Sequence, residues 1–132
     1  MVTGVQTHKR ILLIDDNPLT RESISMILAA AGYCVALATN GADALLRLRE
    51  HRRPDLILLD LSMPVLDGHD FCLKQQQDGT LASIPVLIFS GTDGAEEEAV
   101  ALGAAGCLHK PVDAGRLLEA IRRCCEVKEV AV

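Results

Sequence analysis

The stretch Ile11-Leu12-Leu13-Ile14-Asp15-Asp16-Asn17-Pro18 changes character twice within a few residues. Four consecutive aliphatic side chains read as a short strand buried on both faces. Two aspartates follow, then Asn17, a good helix N-cap, and Pro18, which suits the first helical position. Beyond them Ile24, Ile27, Leu28 and Ala31 fall at i, i+3, i+4 and i+7, and Gly32 ends the helix. A buried strand, an acidic turn and an amphipathic helix make the first half of a βαβ unit.

The same alternation continues to the end of the chain. Apolar runs at Tyr33–Ala38, Leu56–Leu59, Pro85–Phe89 and Gly106–His109 read as four more strands. A second helix carries Gly41, Ala44, Leu45 and Leu48 on one stripe, with Arg47, Arg49, Arg52 and Arg53 near its C-terminus, where they solvate a surface and complement the helix dipole. A polar third helix runs from about His69 to Gln77. The fourth is expected to start at Asp93, with Glu96, Glu97 and Glu98 as a solvated face in its first turns. Asp113 caps the fifth, whose stripe is Leu117, Leu118, Ile121 and Cys125. Near-continuously apolar strands require helices on both faces, and right-handed crossovers then favour an α/β, doubly wound, three-layer sandwich of five parallel strands and five helices.

Composition narrows the function classes. The 132 residues fit one domain, and 49% hydrophobic with 23% charged residues is ordinary for a globular chain. Tyr33, Phe71 and Phe89 are the whole aromatic complement, so base-stacking platforms are missing. The net charge of -5 has the wrong sign for binding nucleic acid through phosphate neutralisation. Cys34, Cys72, Cys107, Cys124 and Cys125 are odd in number and lack C-x-x-C spacing, which points to buried thiols in a reducing cytoplasm. Met1–Arg10 contains no signal-peptide core, and the uncharged residues 23–42 are split by Gly32 and Tyr33, so no membrane span is expected.

In a doubly wound sheet, ligands bind beyond the carboxyl ends of the strands. Strand one ends in Asp15 and Asp16, strand three in Asp60, strand four in Ser90 and strand five in His109, Lys110 and Pro111. Carboxylates sharing one pocket repel by ~4 kcal/mol per close pair at an effective dielectric near 20, so a cation or a proton must be present. A hard divalent ion is the simpler solution, and Mg²⁺ accepts carboxylates, waters and phosphate oxygens together. Lys110 supplies a point charge for a phosphate and Ser90 a hydroxyl donor.

This ordered set resembles the receiver domain of two-component response regulators, a family with the flavodoxin-like fold and strand order 2-1-3-4-5. The resemblance covers residues 9–126, with 1–8 and 127–132 as short tails. It rests on Asp15-Asp16, Asp60, Met63-Pro64, Asp67-Gly68, Ser90-Gly91 and Lys110-Pro111 in that order. It implies that Asp60 is the phosphoacceptor, taking a phosphoryl group from a sensor histidine kinase or a histidine phosphotransfer protein. Asp16 would hold Mg²⁺ directly, with Mn²⁺ able to substitute. Asp15 would act directly or through water, Asp60 would share the ion, and the backbone carbonyl of Ser62 would be the further ligand. Ser90 and Lys110 would bind the phosphoryl oxygens, and Lys110-Pro111 would be a cis peptide. The protein would be a cytoplasmic signalling domain and no enzyme in the ordinary sense. It would relay its signal to an unknown downstream protein target, without nucleic acid or membrane. The chain could equally stand alone or belong to a hybrid kinase or longer regulator.

Two departures concern output. The family usually carries an aromatic switch residue where this chain has Cys107, and a Phe where it has Val112. Among other classes, haloacid-dehalogenase-type phosphatases use a similar Asp, Ser and Lys set with Mg²⁺, but in a D-x-D motif on the first strand. A flavin- or nucleotide-binding module would need a Gly-rich loop after Ile14.

Overall fold

A computed structural model describes residues 9–50, 52–61 and 68–126. Strands β1 (Arg10–Ile14), β2 (Cys34–Ala38), β3 (Leu56–Asp60), β4 (Val86–Ser90) and β5 (Gly106–His109) pair in parallel in the order β2-β1-β3-β4-β5. The helices are α1 (Pro18–Ala30), α2 (Gly41–Glu50), α3 (Gly68–Gln77), α4 (Ala95–Ala101) and α5 (Ala114–Glu126). The expected flavodoxin-like architecture is therefore present, with β3 at the centre of the sheet.

Strand periodicity divides the interior into two layers. Leu12, Ile14, Ile57, Leu59 and Ile88 face α2, α3 and α4, where they meet Ala44, Leu48, Phe71 and Ala99. Ile11, Leu13, Leu56, Leu58, Leu87 and Phe89 face α1 and α5, where they meet Ile24, Leu28, Leu117 and Ile121. A single aliphatic run thus serves two cores. At β2 the expectation of cover on both faces fails: Cys34, Ala36 and Leu37 are exposed, because the strand lies at the sheet edge. Cys34 is accordingly an exposed thiol and Cys107 a partly buried one, so the buried-thiol reading holds for Cys72, Cys124 and Cys125 only.

Caps fix the connections. Asn17 Oδ1 accepts from the amides of Leu19 (2.9 Å) and Thr20 (3.2 Å), and Asp113 Oδ2 accepts from that of Arg116 (3.0 Å). Tyr33 does not open β2, because its amide donates to Leu28 O at the end of α1 (3.1 Å). Gly94 sits at φ +82°, a left-handed conformation that breaks the helix path, so α4 starts at Ala95 and not at Asp93. Asp60 and Ser90 lie inside their strands, and Pro85 precedes β4. The α3 N-terminus needs Gly68 for closeness: a Cβ there would come within 2.8 Å of Leu61 Cδ1.

The charge runs are surface-exposed, as the sequence suggests, and several of their members also make contacts across the surface. Arg53 donates to Thr80 O (2.5 Å) and Ser83 Oγ (2.6 Å), tying the end of the α2–β3 connection to the α3–β4 connection. Arg47 pairs with Asp43. Glu96 reaches His109 and Glu98 reaches His69, each at 3.4 Å, so two of the three glutamates link α4 to its neighbours.

Candidate functional site

The parallel register brings the strand ends to one side of the sheet. Asp60 pairs with Phe89, Ser90 pairs with His109, and Lys110 N donates to Ser90 O (3.0 Å). Asp60, at the end of the central strand, is only 2% exposed. Lys110 Nζ stands 3.3 Å from Asp60 Oδ2 and 5.1 Å from the centre of the Phe89 ring, a seat that combines an ion pair with a cation–π contact. The Lys110-Pro111 peptide is cis.

Asp15 and Asp16 complete an acidic cluster. One carboxylate oxygen from each of Asp15, Asp16 and Asp60 lies within 4.8 Å of the others. Their environments differ: Asp16 is exposed, whereas Asp15 is fully buried. The Asn17 amide donates to Asp15 Oδ1 (2.9 Å), but the buried Oδ2 has no hydrogen-bond partner among the described residues. Burial pushes the Asp15 carboxyl up to about 6; the Asn17 amide and Lys110 oppose the rise, and the neighbouring Asp60 adds to it. An unpartnered buried carboxylate oxygen facing two other carboxylates is the donor set of a hard cation.

Ser90 is fully buried, and its hydroxyl oxygen lies 2.8 Å from that of Thr92. Cys107 is half-buried, and burial together with Glu96 raises its thiol pKa, which keeps it protonated. Ser62, Met63, Pro64 and Asp67 lie outside the described residues. Three residues that pattern reading missed border the site. Arg21 donates to Asp15 O (2.7 Å), so Lys110 is not the only cation nearby; the contact spans a helical turn and leaves no local signature. Phe89 reads as core and also seats Lys110. Thr92 was legible in principle, since Ser-x-Thr favours a side-chain-capped turn.

The family model for the response regulator receiver domain matches residues 11–122. The chain belongs to this family. Response regulator MprA of Mycobacterium tuberculosis is 38% identical over 115 residues, 86% of this chain and 49% of the relative. The chain spans about half the length of the curated relatives it matches. Among solved structures, chemotaxis response regulator CheY4 of Vibrio cholerae superposes with TM-score 0.82 at 31% identity, covering 89% of this chain and 99% of that one. The signal receiver domain of a signal transduction histidine kinase from Syntrophus aciditrophicus gives TM-score 0.80 at 29% identity, covering 93% and 92%. The receiver domain is a signalling module, and the phosphatase alternative finds no support here. No helix among the described residues is long and apolar enough to cross a membrane.

Proposed function

We propose that this receiver domain, spanning residues 9–126, accepts a phosphoryl group on Asp60 in a Mg²⁺-dependent reaction. The carrying observation is the geometry around Asp60: a buried carboxylate at the end of the central strand, 3.3 Å from Lys110 Nζ and clustered with Asp15 and Asp16.

Chemically, an Asp60 carboxylate oxygen attacks phosphorus, a P–O bond forms, and the bond from phosphorus to the donor's histidine nitrogen breaks, leaving the electron pair on that nitrogen. Lys110 offsets the charge of the phosphoryl oxygens, and its seat on Phe89 limits how far it strays. Ser90 donates to a phosphoryl oxygen. Asp15, Asp16 and Asp60, with the Ser62 carbonyl, would hold Mg²⁺ or Mn²⁺, and the orphaned Asp15 Oδ2 supports that fit. The ion supplies charge neutralisation and a template for phosphate oxygens when bound.

The donor in this reading is a sensor histidine kinase or a histidine phosphotransfer protein, in the cytoplasm. A groove of about 510 Å³ beside the acceptor, lined by Leu19, Ser23, Ile27, Lys110, Pro111 and Val112, offers an apolar seat for it. Acetyl phosphate with Mg²⁺ is expected to add one phosphoryl group to the wild-type protein, seen by intact mass, and none to Asp60→Asn. A label that survives this substitution would refute the assignment.

A further inference from the structure

Ser90 is buried to zero exposure and its hydroxyl has a single proton to give. Thr92 folds back over it. The Thr92 amide donates to Ser90 Oγ at 3.1 Å, and the two hydroxyl oxygens stand 2.8 Å apart. Ser90 Oγ therefore already accepts one hydrogen bond, while its own proton is shielded from bulk water and needs an acceptor. Thr92 Oγ1 is within reach. Because Thr92 is exposed, it can turn its own proton to solvent, so the economical arrangement has Ser90 donating and Thr92 accepting.

Resting on the reading that Ser90 binds a phosphoryl oxygen carried by Asp60, we infer that Thr92 is a positioning residue that holds the Ser90 proton in the resting state and competes with the phosphoryl group for it. The hydroxyl has one proton, and a full hydrogen bond to one oxygen withdraws it from the other. When phosphate arrives, Ser90 exchanges a neutral acceptor for a charged one, which is the stronger bond. Thr92 Oγ1 is left to water at little cost. Its hydroxyl thus sets how far the resting state is favoured over the activated one, through contacts made in only one of the two states.

Removing the Thr92 hydroxyl leaves the Ser90 proton without an acceptor in the resting state alone, which raises that state and favours the activated one. Calorimetric titration with Mg²⁺ and beryllofluoride is expected to show Thr92→Val binding about five-fold tighter than wild type, the equivalent of one net hydrogen bond. Thr92→Ser, which keeps the hydroxyl, is expected to match wild type. In a Ser90→Ala background the valine substitution is expected to change nothing. Binding by wild type with an unchanged affinity for Thr92→Val would overturn the inference alone. An equal gain in both backgrounds would also overturn it, marking Thr92 as a steric gate. A wild type that takes up no beryllofluoride would bring down the phosphoacceptor reading, and the inference with it.

Discussion

At the scale of single residues, the acidic cluster is unequal. Asp16 faces solvent, whereas Asp15 is enclosed and its Oδ2 has no hydrogen-bond partner among the described residues. The folded state raises the Asp15 carboxyl from 3.8 to about 6, so between those values the native protein binds more protons than the unfolded chain. The stability this provides is complete below pH 3.8 and is lost as the pH climbs through 6. In metal-free protein at pH 7, Asp15→Asn is therefore expected to be more stable than wild type, by on the order of 2 kcal/mol. The gain should fade towards pH 4. Urea denaturation at the two pH values checks this; an asparagine variant that is less stable at pH 7 would show that the fold stabilises the Asp15 charge and overturn the prediction.

At the scale of elements, Gly68 shows how a helix start governs the strand end beside it. Its missing side chain lets α3 approach Leu61, the residue after Asp60, and a methyl group there would meet Leu61 Cδ1 at 2.8 Å and Leu61 Cα at 3.1 Å. Backbone at that distance does not yield easily. Gly68→Ala is expected to lower stability by about 1–3 kcal/mol in urea denaturation. The same scale shows what was legible in the sequence. The runs of β1, β3 and β4 stood out because strands buried on both faces are almost continuously apolar, and α1 because Asn17, Pro18 and Gly32 mark its ends. The α4 start was hidden, since it depends on the dihedral angle of Gly94 and not on residue type. The opening of β2 was misplaced by one residue because the Tyr33 amide serves the helix before it. The strand-end Asp, Ser and Lys set was readable because parallel strands of similar length must align their ends. Arg21 was not, because the carbonyl it reaches is reached only once α1 has docked.

At the scale of the whole molecule, the question is how a change at Asp60 reaches the surface. Cys107, in the strand next to Ser90, is small and half-buried, with Leu102 and Ala104 among the side chains around its layer of the core. Such a side chain has neither the volume nor the reach to change the shape of the α4, β5 and α5 face when Ser90 moves. Amide hydrogen exchange with and without Mg²⁺ and beryllofluoride is expected to show small protection changes across β5 and α5, with the larger ones in the segment after Ser90 and in α4. Large changes in β5 and α5 would mean that this face responds without an aromatic side chain. The two-layer core sharpens the test: Leu108 and Phe89 belong to the α1–α5 side, whereas Cys107 and Ile88 belong to the other. A perturbation confined to the Cys107 layer should therefore leave α5 amides slow.

The exposed thiol of Cys34 also makes such measurements practical. It opens an edge strand, at the end of the sheet opposite Asp60, roughly 13 Å along the strand from the end that carries the acidic cluster at about 3.3 Å per residue. Cys72, Cys124 and Cys125 are enclosed, and burial raises the pKa of the Cys72, Cys107 and Cys124 thiols. A maleimide dye or a surface tether should therefore couple first at Cys34. The chain thus carries its own attachment point, remote from the acidic cluster and free of any need for engineered cysteines, through which the proposed phosphorylation can be tested one molecule at a time.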